Sequence, residues 1–453
     1  MQKFDVVILG AGPAGNGLAN ILGANKLKVA LIEAEDLGGG CINKGCVPTK
    51  TLIKSARVYE LVKNSLNYGV FSDNVRYDFS QMQQRRIDNK NYFNKNMENN
   101  LSSNGVTLFK GYGEVLDQNT IKINDQIISF DKLVLATGSR SKIINLKGLE
   151  QAKKDGYLID STQALTLKDV PKSLVIIGDG PVGLEFSYLY NTLNTEITIL
   201  TNTDFLSKFD IDIQRSVKQY FKEKNIKVID NVNISEIKDN KVYYNNTFIQ
   251  AEKILLAVGR TANNESFKNI DIKKDQNGFV IVDENMKTNF DNIYAIGDIT
   301  GLRLLSSVGY KTADIVAKDI LNFKKSEKLD LNLVPWTIYL NPEIAGIGLT
   351  QQQLIEKDET PFEIVIVNSQ YLPKAHAEGF VKDYSFIKFL ISTTTNQILG
   401  CFMMIDQANI LINHIALFMQ QKLTFDTLQK SIYTHPTLSE AFYYTSRSKG
   451  LKK

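Results

Sequence analysis

The chain carries one nucleotide-binding pattern twice, and this duplication restricts its architecture more than any other feature. An apolar strand, Asp5 to Leu9, runs into Gly10-Ala11-Gly12-Pro13-Ala14-Gly15, followed by a helix and a second strand, Val29 to Ile32, that ends at Glu33. Ser173 to Ile177 leads likewise into Gly178-Asp179-Gly180-Pro181-Val182-Gly183, then a helix, then Ile197 to Leu200. A glycine turn between strand and helix brings backbone N–H groups and the positive helix end to a pyrophosphate. One such match is weak evidence, and two in correct context are strong. A second repeat supports the first: Asp131-Lys-Leu-Val-Leu-Ala-Thr-Gly-Ser-Arg140 is echoed by Glu252-Lys-Ile-Leu-Leu-Ala-Val-Gly-Arg-Thr261. The expected fold is α/β, with two nested Rossmann-like domains and two different bound dinucleotides.

Just beyond Glu33 lies Gly38-Gly-Gly-Cys41-Ile-Asn-Lys-Gly-Cys46-Val-Pro-Thr-Lys50, a pair of thiols close in sequence to a nucleotide site. Free cysteines usually behave as small buried hydrophobes, and the surroundings of this pair argue otherwise. The glycines allow close backbone approach to a flat ring, and Pro48 suits a first helical turn. A thiolate at a helix start is stabilised by the dipole. The pair reads as a redox-active dithiol. No metal is expected, since no second Cys pair or His lies nearby.

At 453 residues the chain should form roughly three or four domains. Basic and acidic side chains number 53 and 49, with no long single-sign run, which gives no electrostatic case for nucleic acid or membrane binding. The first ten residues already begin a strand, leaving no room for a secretion leader, and no apolar run approaches the roughly eighteen residues of a membrane span. With only three cysteines, a cytoplasmic location is expected. Cys401, in an apolar run, is expected to be packed in a core.

Asn292-Ile-Tyr-Ala-Ile-Gly-Asp298 reads as a strand ending in a carboxylate that could accept from a ligand hydroxyl or cap a helix. From about Pro335 the pattern changes to alternating strands, Ile364 to Val367, Phe386 to Ile391 and Ile398 to Ile405, with an amphipathic stretch from Gln407 to Gln421. Near the end, His435-Pro-Thr-Leu-Ser-Glu440 places a carboxylate where it can orient an imidazole, the arrangement a general acid-base His needs. His376 and His414 have no such company.

With these residues assembled, the chain resembles the flavoprotein disulfide reductases, the family of dihydrolipoamide dehydrogenase, glutathione reductase and mercuric ion reductase, over essentially its whole length. The resemblance implies FAD at the first fingerprint, held by Gly10, Gly12, Pro13, Ala14, Gly15 and Glu33. Gly39, Gly40, Lys50, Thr137, Gly138 and Asp298 would complete that site. The nicotinamide nucleotide would lie on Gly178, Gly180, Val182, Gly183, Thr201 and Gly259. Lys50 and Glu185 match the pair that relatives place beside the flavin. Cys46 would face the flavin and Cys41 would exchange with substrate. His435 and Glu440 match an acid-base pair contributed across a homodimer interface. The implied division is an FAD-binding domain over 1–148, an NAD(P)-binding domain over 149–264, a return to the FAD-binding domain over 265–333, and an α+β dimerisation domain over 334–453.

Three departures qualify the match. Gly40 replaces a Thr, Ser141 replaces a Pro, and Asp179 sets a negative side chain next to where phosphate should lie, which would weaken nucleotide affinity unless it points away. The first-ranked substrate is dihydrolipoamide, on the motifs Asn341-Pro-Glu-Ile-Ala345 and His435-Pro-Thr-Leu-Ser-Glu-Ala441, with docking to a lipoyl-bearing complex left open. Glutathione reductase is disfavoured because residues 13 to 24 hold no arginine, and mercuric reductase because the tail ends Gly-Leu-Lys-Lys; another disulfide reductase remains an alternative. A flavin-dependent oxidase or transhydrogenase is disfavoured by the presence of both cysteines, and a scaffold by the presence of Glu33, Lys50 and His435. Thr201 stands relative to Gly178 where the acidic Glu33 stands relative to Gly10, so NAD is expected with NADP not excluded.

Overall fold

The two glycine patterns fold into parallel sheets of matching register in a computed structural model that describes residues 1–323 and 328–448. The Gly-Leu-Lys-Lys tail lies outside the described residues. In the first sheet Thr107–Lys110, Val29–Glu33, Gln2–Leu9 and Gln126–Leu135 run parallel, and Thr120–Ile123 and Gly113–Val115 continue it antiparallel. In the second, Lys227–Ile229, Glu196–Leu200, Ser173–Ile177, Lys253–Leu256 and Leu158–Ile159 are all parallel. Ile293–Ala295, reached only after the second sheet is complete, pairs parallel with Gln126–Leu135. The chain therefore leaves the first sheet, builds the second and returns.

Both central strands bury alternate residues in different cores. Val6 and Ile8 face one and Val7 and Leu9 the other, just as Leu174 and Ile176 part from Val175 and Ile177. Burial on both faces is the reason these strands read as unbroken apolar runs. The glycine turns repeat to the same hydrogen bonds: Ala136 N–H donates to Leu9 O and Ala257 N–H to Ile177 O, each at 2.8 Å. A Cβ on Gly10 would meet Ala136 O at 2.4 Å, and one on Gly178 would meet Ala257 O at the same distance. Both glycines also hold positive φ, +105° and +113°, so no other residue fits.

The last block is an antiparallel sheet in the order Trp336–Ile338, Glu343–Gly348, Ile398–Ile405, Phe386–Ser392 and Phe362–Asn368. The amphipathic stretch forms the helix Ala408–Gln420, whose Ala408, Leu411, Ile412 and Ile415 share a core with Ala345, Ile347, Met403 and fully buried Cys401. Two features escaped the periodicity of the sequence. The helix Phe79–Ser103 buries only Phe79, Arg86 and Leu101 and starts from an Asp78 cap, so it shows little apolar pattern. The strand Glu343–Gly348 begins inside the motif Asn341-Pro-Glu-Ile-Ala345, which the sequence marks by family likeness and not as a strand.

Lys388, fully buried on the last sheet, donates to Asp210 at 2.8 Å, Asp212 at 2.6 Å and Gln351 Oε1 at 2.7 Å. Asp210 is equally buried, caps the helix Ile211–Glu223 and accepts from Gln351 N–H. This cluster ties the last sheet to the second nucleotide unit. Replacing Lys388 with Met removes the countercharge and strands a buried carboxylate, for which the expected loss in urea unfolding is about 3–5 kcal/mol. Asp210→Asn in the same chain should recover part of it.

Candidate active site

Cys46 is the first residue of the helix Cys46–Lys63, and Cys41 lies in the short helix Gly39–Asn43 before it. The two helices are brought to the first fingerprint by a glycine contact: a Cβ on Gly39, at φ +53°, would sit 2.8 Å from Gly12 Cα. Asn43 fastens the turn by donating its amide to Leu37 O and Gly39 O, both at 2.9 Å. Gly40 has open space where a Cβ would be, so packing does not demand glycine there.

Both cysteines are free thiols, Cys41 half-buried and Cys46 exposed. A hydrogen bond between them lowers the pKa of Cys46, helped by the Lys50 charge and by Ser306, while partial desolvation of the sulfur within an otherwise exposed residue works in the opposite direction. The same bond, followed by burial, raises that of Cys41. The pair is therefore asymmetric, with the thiolate favoured on Cys46 over Cys41.

Lys50, one helical turn beyond Cys46, donates to both oxygens of Glu185 at 2.8 and 2.7 Å. Glu185 is buried on the second glycine helix, Pro181–Thr192, and also accepts from Tyr339 N–H at 3.2 Å. The Tyr339 ring lies beneath Lys50 Nζ, 4.7 Å from its centroid.

The geometry fits two dinucleotides. A Cβ on Gly12 or on Gly180 would meet nothing within 4 Å, whereas one on Gly15 or Gly183 would strike the carbonyl of Gly10 or Gly178. Each turn thus leaves a bare backbone position open to a ligand at the start of a helix whose first residue, Pro13 or Pro181, gives up no useful N–H. Glu33 accepts from Ala11 N–H at 2.7 Å and Glu35 N–H at 2.8 Å, which holds the carboxylate beside the first turn. Asp179 does not face its own turn: it accepts from Leu206 N–H at 2.6 Å, clasping the loop after the strand Glu196–Leu200. Val182 is partly buried beside that turn, and Thr201 is buried with its N–H on Ile229 O.

The turns at Thr137-Gly138 and Gly259 are joined to each other. Thr137 Oγ1 donates to Asn263 O at 2.8 Å, Asn263 returns its amide to Thr137 O at 2.8 Å, and Ser139–Ser141 pairs antiparallel with Arg260–Ala262. Asp298 follows its strand on a short 3-10 turn, where it accepts from Ser139 Oγ at 2.7 Å and faces Arg260 Nε at 3.8 Å.

His435 Nδ1 meets Glu440 Oε1 at 2.8 Å, and Glu440 Oε2 accepts from Thr437 N–H at 2.9 Å within a capping box. Burial raises the Glu440 pKa, but these partners outweigh it and the net direction is down. Among the described residues no hydrogen bond or ion pair joins His435 to Cys41 or Cys46. Its side chain is 65% exposed, and neighbouring Ile432 is 99% exposed. Ser306, Tyr310 and Tyr339 were not found from the sequence, because each sits outside the motifs; a serine at a helix start signals only a cap.

Comparison with known proteins gives one family throughout. The pyridine nucleotide-disulphide oxidoreductase family matches residues 4–317, and the dimerisation domain of the same family matches residues 334–445. A dihydrolipoyl dehydrogenase of Mycoplasma genitalium is 32% identical over 445 residues, covering 97% of each chain. One of Chlamydia pneumoniae is 33% identical over 451 residues, covering 97% of this chain and 96% of that one. Among solved structures, the Cu(II) complex of the HOCl-induced flavoprotein disulfide reductase RclA from Escherichia coli superposes with a TM-score of 0.89 at 26% identity, covering 98% of both chains.

The open cradle at Gly12 makes a separable prediction. Gly12→Ala should leave the melting of the cofactor-free chain within roughly 0.5 kcal/mol of the parent, while the visible absorbance of bound flavin in the purified protein falls sharply. Loss of both together would mean that the turn tolerates no Cβ even without ligand.

Proposed function

The chain belongs to the pyridine nucleotide-disulphide oxidoreductase family, and on that premise we propose that it is a dihydrolipoyl dehydrogenase-like enzyme working through Cys41 and Cys46, with FAD on the first glycine cradle and NAD on the second. The observation that carries this reading is the asymmetric thiol pair at a helix start, one turn from the Lys50–Glu185 ion pair. Flavin and nicotinamide supply the hydride and electron transfer when bound, and the protein positions them.

The chain's own part is disulfide exchange. With the pair oxidised, a substrate thiolate attacks Cys41 Sγ; a mixed disulfide forms, the Cys41–Cys46 bond breaks, and Cys46 leaves with the electron pair. The second substrate thiolate then attacks its own partner sulfur in the mixed disulfide. The substrate closes to a disulfide and Cys41 is released to take a proton, so that two electrons now reside on the dithiol. His435, oriented by Glu440, would hold the protons taken from the substrate thiols. In a homodimer each chain's His435 would serve the cysteines of the other, which agrees with its exposure and with its lack of contact to the pair in its own chain.

The division at 148, 264 and 333 and the cofactor roles of the fingerprint residues belong to the same reading. So do a cytoplasmic setting and docking to a lipoyl-bearing complex. Among the described residues no helix is long and apolar enough to cross a membrane.

His435→Gln should slow turnover of dihydrolipoamide by roughly 10²- to 10⁴-fold, while the half-reaction with the nicotinamide nucleotide keeps its rate in stopped flow. Near-normal turnover would remove His435 from the mechanism.

NAD is favoured over NADP because Lys208 is the only cation from 202 to 208, while Asp204 and Asp230 lie along that loop and Asp179 is committed to Leu206. The three carboxylates do not attract a 2′-phosphate, and no arginine stands between 202 and 208 to do so. Since Thr201 lacks the carboxylate that would repel one strongly, the ratio of specificity constants should stay within about two orders of magnitude, under roughly 3 kcal/mol. Steady-state kinetics with both nucleotides measure it, and a preference for NADP would overturn the assignment.

A further inference from the structure

We propose that Ser306 is a positioning residue for the dithiol, its hydroxyl donating to the Cys46 sulfur and holding that sulfur as a thiolate beside Cys41. The inference deepens the reading of Cys41 and Cys46 given above and rests on it. Ser306 Oγ lies 3.7 Å from Cys46 Sγ. It is the first residue of the helix Ser306–Ile320, and the N-cap before it, Leu305, has no side-chain acceptor. That helix is firmly seated. Thr312 Oγ1 accepts from Gly297 N–H at 3.1 Å, and a Cβ on Gly309 would come within 3.4 Å of Ala14 on the first glycine helix. The hydroxyl is thus presented to the sulfur from a fixed element.

The charges around Cys46 explain why a neutral donor matters here. Lys50, on the sulfur's own helix, favours the thiolate, but both Glu185 oxygens already hold its ammonium, and the Glu185 charge opposes ionisation. Cys41 faces the sulfur from the preceding turn, and Tyr310, one turn along the Ser306 helix, faces both thiols without an opposite charge to offer. A hydroxyl adds no charge, and it hydrogen-bonds a thiolate more strongly than a thiol. It therefore shifts the balance toward the anion; it favours the Cys41 thiolate as well, but there the bond to Cys46 and burial outweigh it.

The test uses the reduced, flavin-loaded protein and the pH dependence of iodoacetamide labelling. Tryptic cleavage after Lys44 puts Cys41 and Cys46 on separate peptides, so each is quantified alone. Ser306→Ala and Ser306→Val should move the Cys46 profile upward by about 0.5–1.5 pH units, roughly 3- to 30-fold less thiolate at a fixed pH below the transition. Ser306→Thr, isosteric with the valine but keeping the hydroxyl, should stay close to the parent, with flavin content equal in all four proteins. Unmoved profiles in the alanine and valine variants would overturn the proposal, as would a threonine variant shifted as far as the valine. A parent Cys46 that titrates in the ordinary thiol range would instead overturn the reading of the dithiol on which the proposal stands.

Discussion

The ion pair between Lys50 and Glu185 is the point at which the molecule's separate sheets are held to one geometry. Glu185 comes from the second glycine helix and Lys50 from the cysteine helix, and Tyr339 of the last block adds its N–H and its ring to the same pair. Two further polar ties act on that helix. Arg57 donates to Glu343 at 2.9 Å, and Glu60 takes Lys224, Tyr188 and Asn341. Charges this deep are costly to desolvate and become more costly if a partner moves away. Sliding the cysteine helix would break all three at once. The position of Cys46 is thus determined by residues scattered from 50 to 343, none of which hydrogen-bonds a sulfur.

The chemistry needs that rigidity. Two thiols in adjacent turns would ionise alike in water, and they differ here because the hydrogen bond between them favours charge on Cys46 and disfavours it on Cys41, with the Lys50 charge facing Cys46. The difference depends on distances of a few ångströms, which a loosely held turn could not keep. Asn43, which closes the turn between the cysteines onto Leu37 and Gly39, serves the same end from the opposite side.

How much of this was legible depended on whether a residue's role is local. The glycine turns could be read directly, because Gly10 and Gly178 are forced by a carbonyl and a positive φ that no side chain tolerates. His435 and Glu440 could be paired because their contact spans one short turn. The Phe79–Ser103 helix, solvated along most of its length, left no apolar period to read. Ser306 and Tyr339 reach the site only through tertiary packing, across 260 residues from Cys46 in the case of Ser306, and no local pattern encodes that. The direction of Asp179 was equally hidden, since its partner lies in a loop with no motif.

That last contact has a consequence for how duplicated folds diverge. In the first half, the residue after the leading glycine offers its backbone N–H to an acid at the neighbouring strand end, Ala11 to Glu33. In the second half the acid sits in the turn itself, and the N–H comes from beyond the strand end, Leu206 to Asp179. The strap is kept and its polarity is reversed. A duplicate freed in this way can lose the strand-end carboxylate without unfastening the turn. Position 201 then carries no part of the strap, and a residue there can change without loosening the turn.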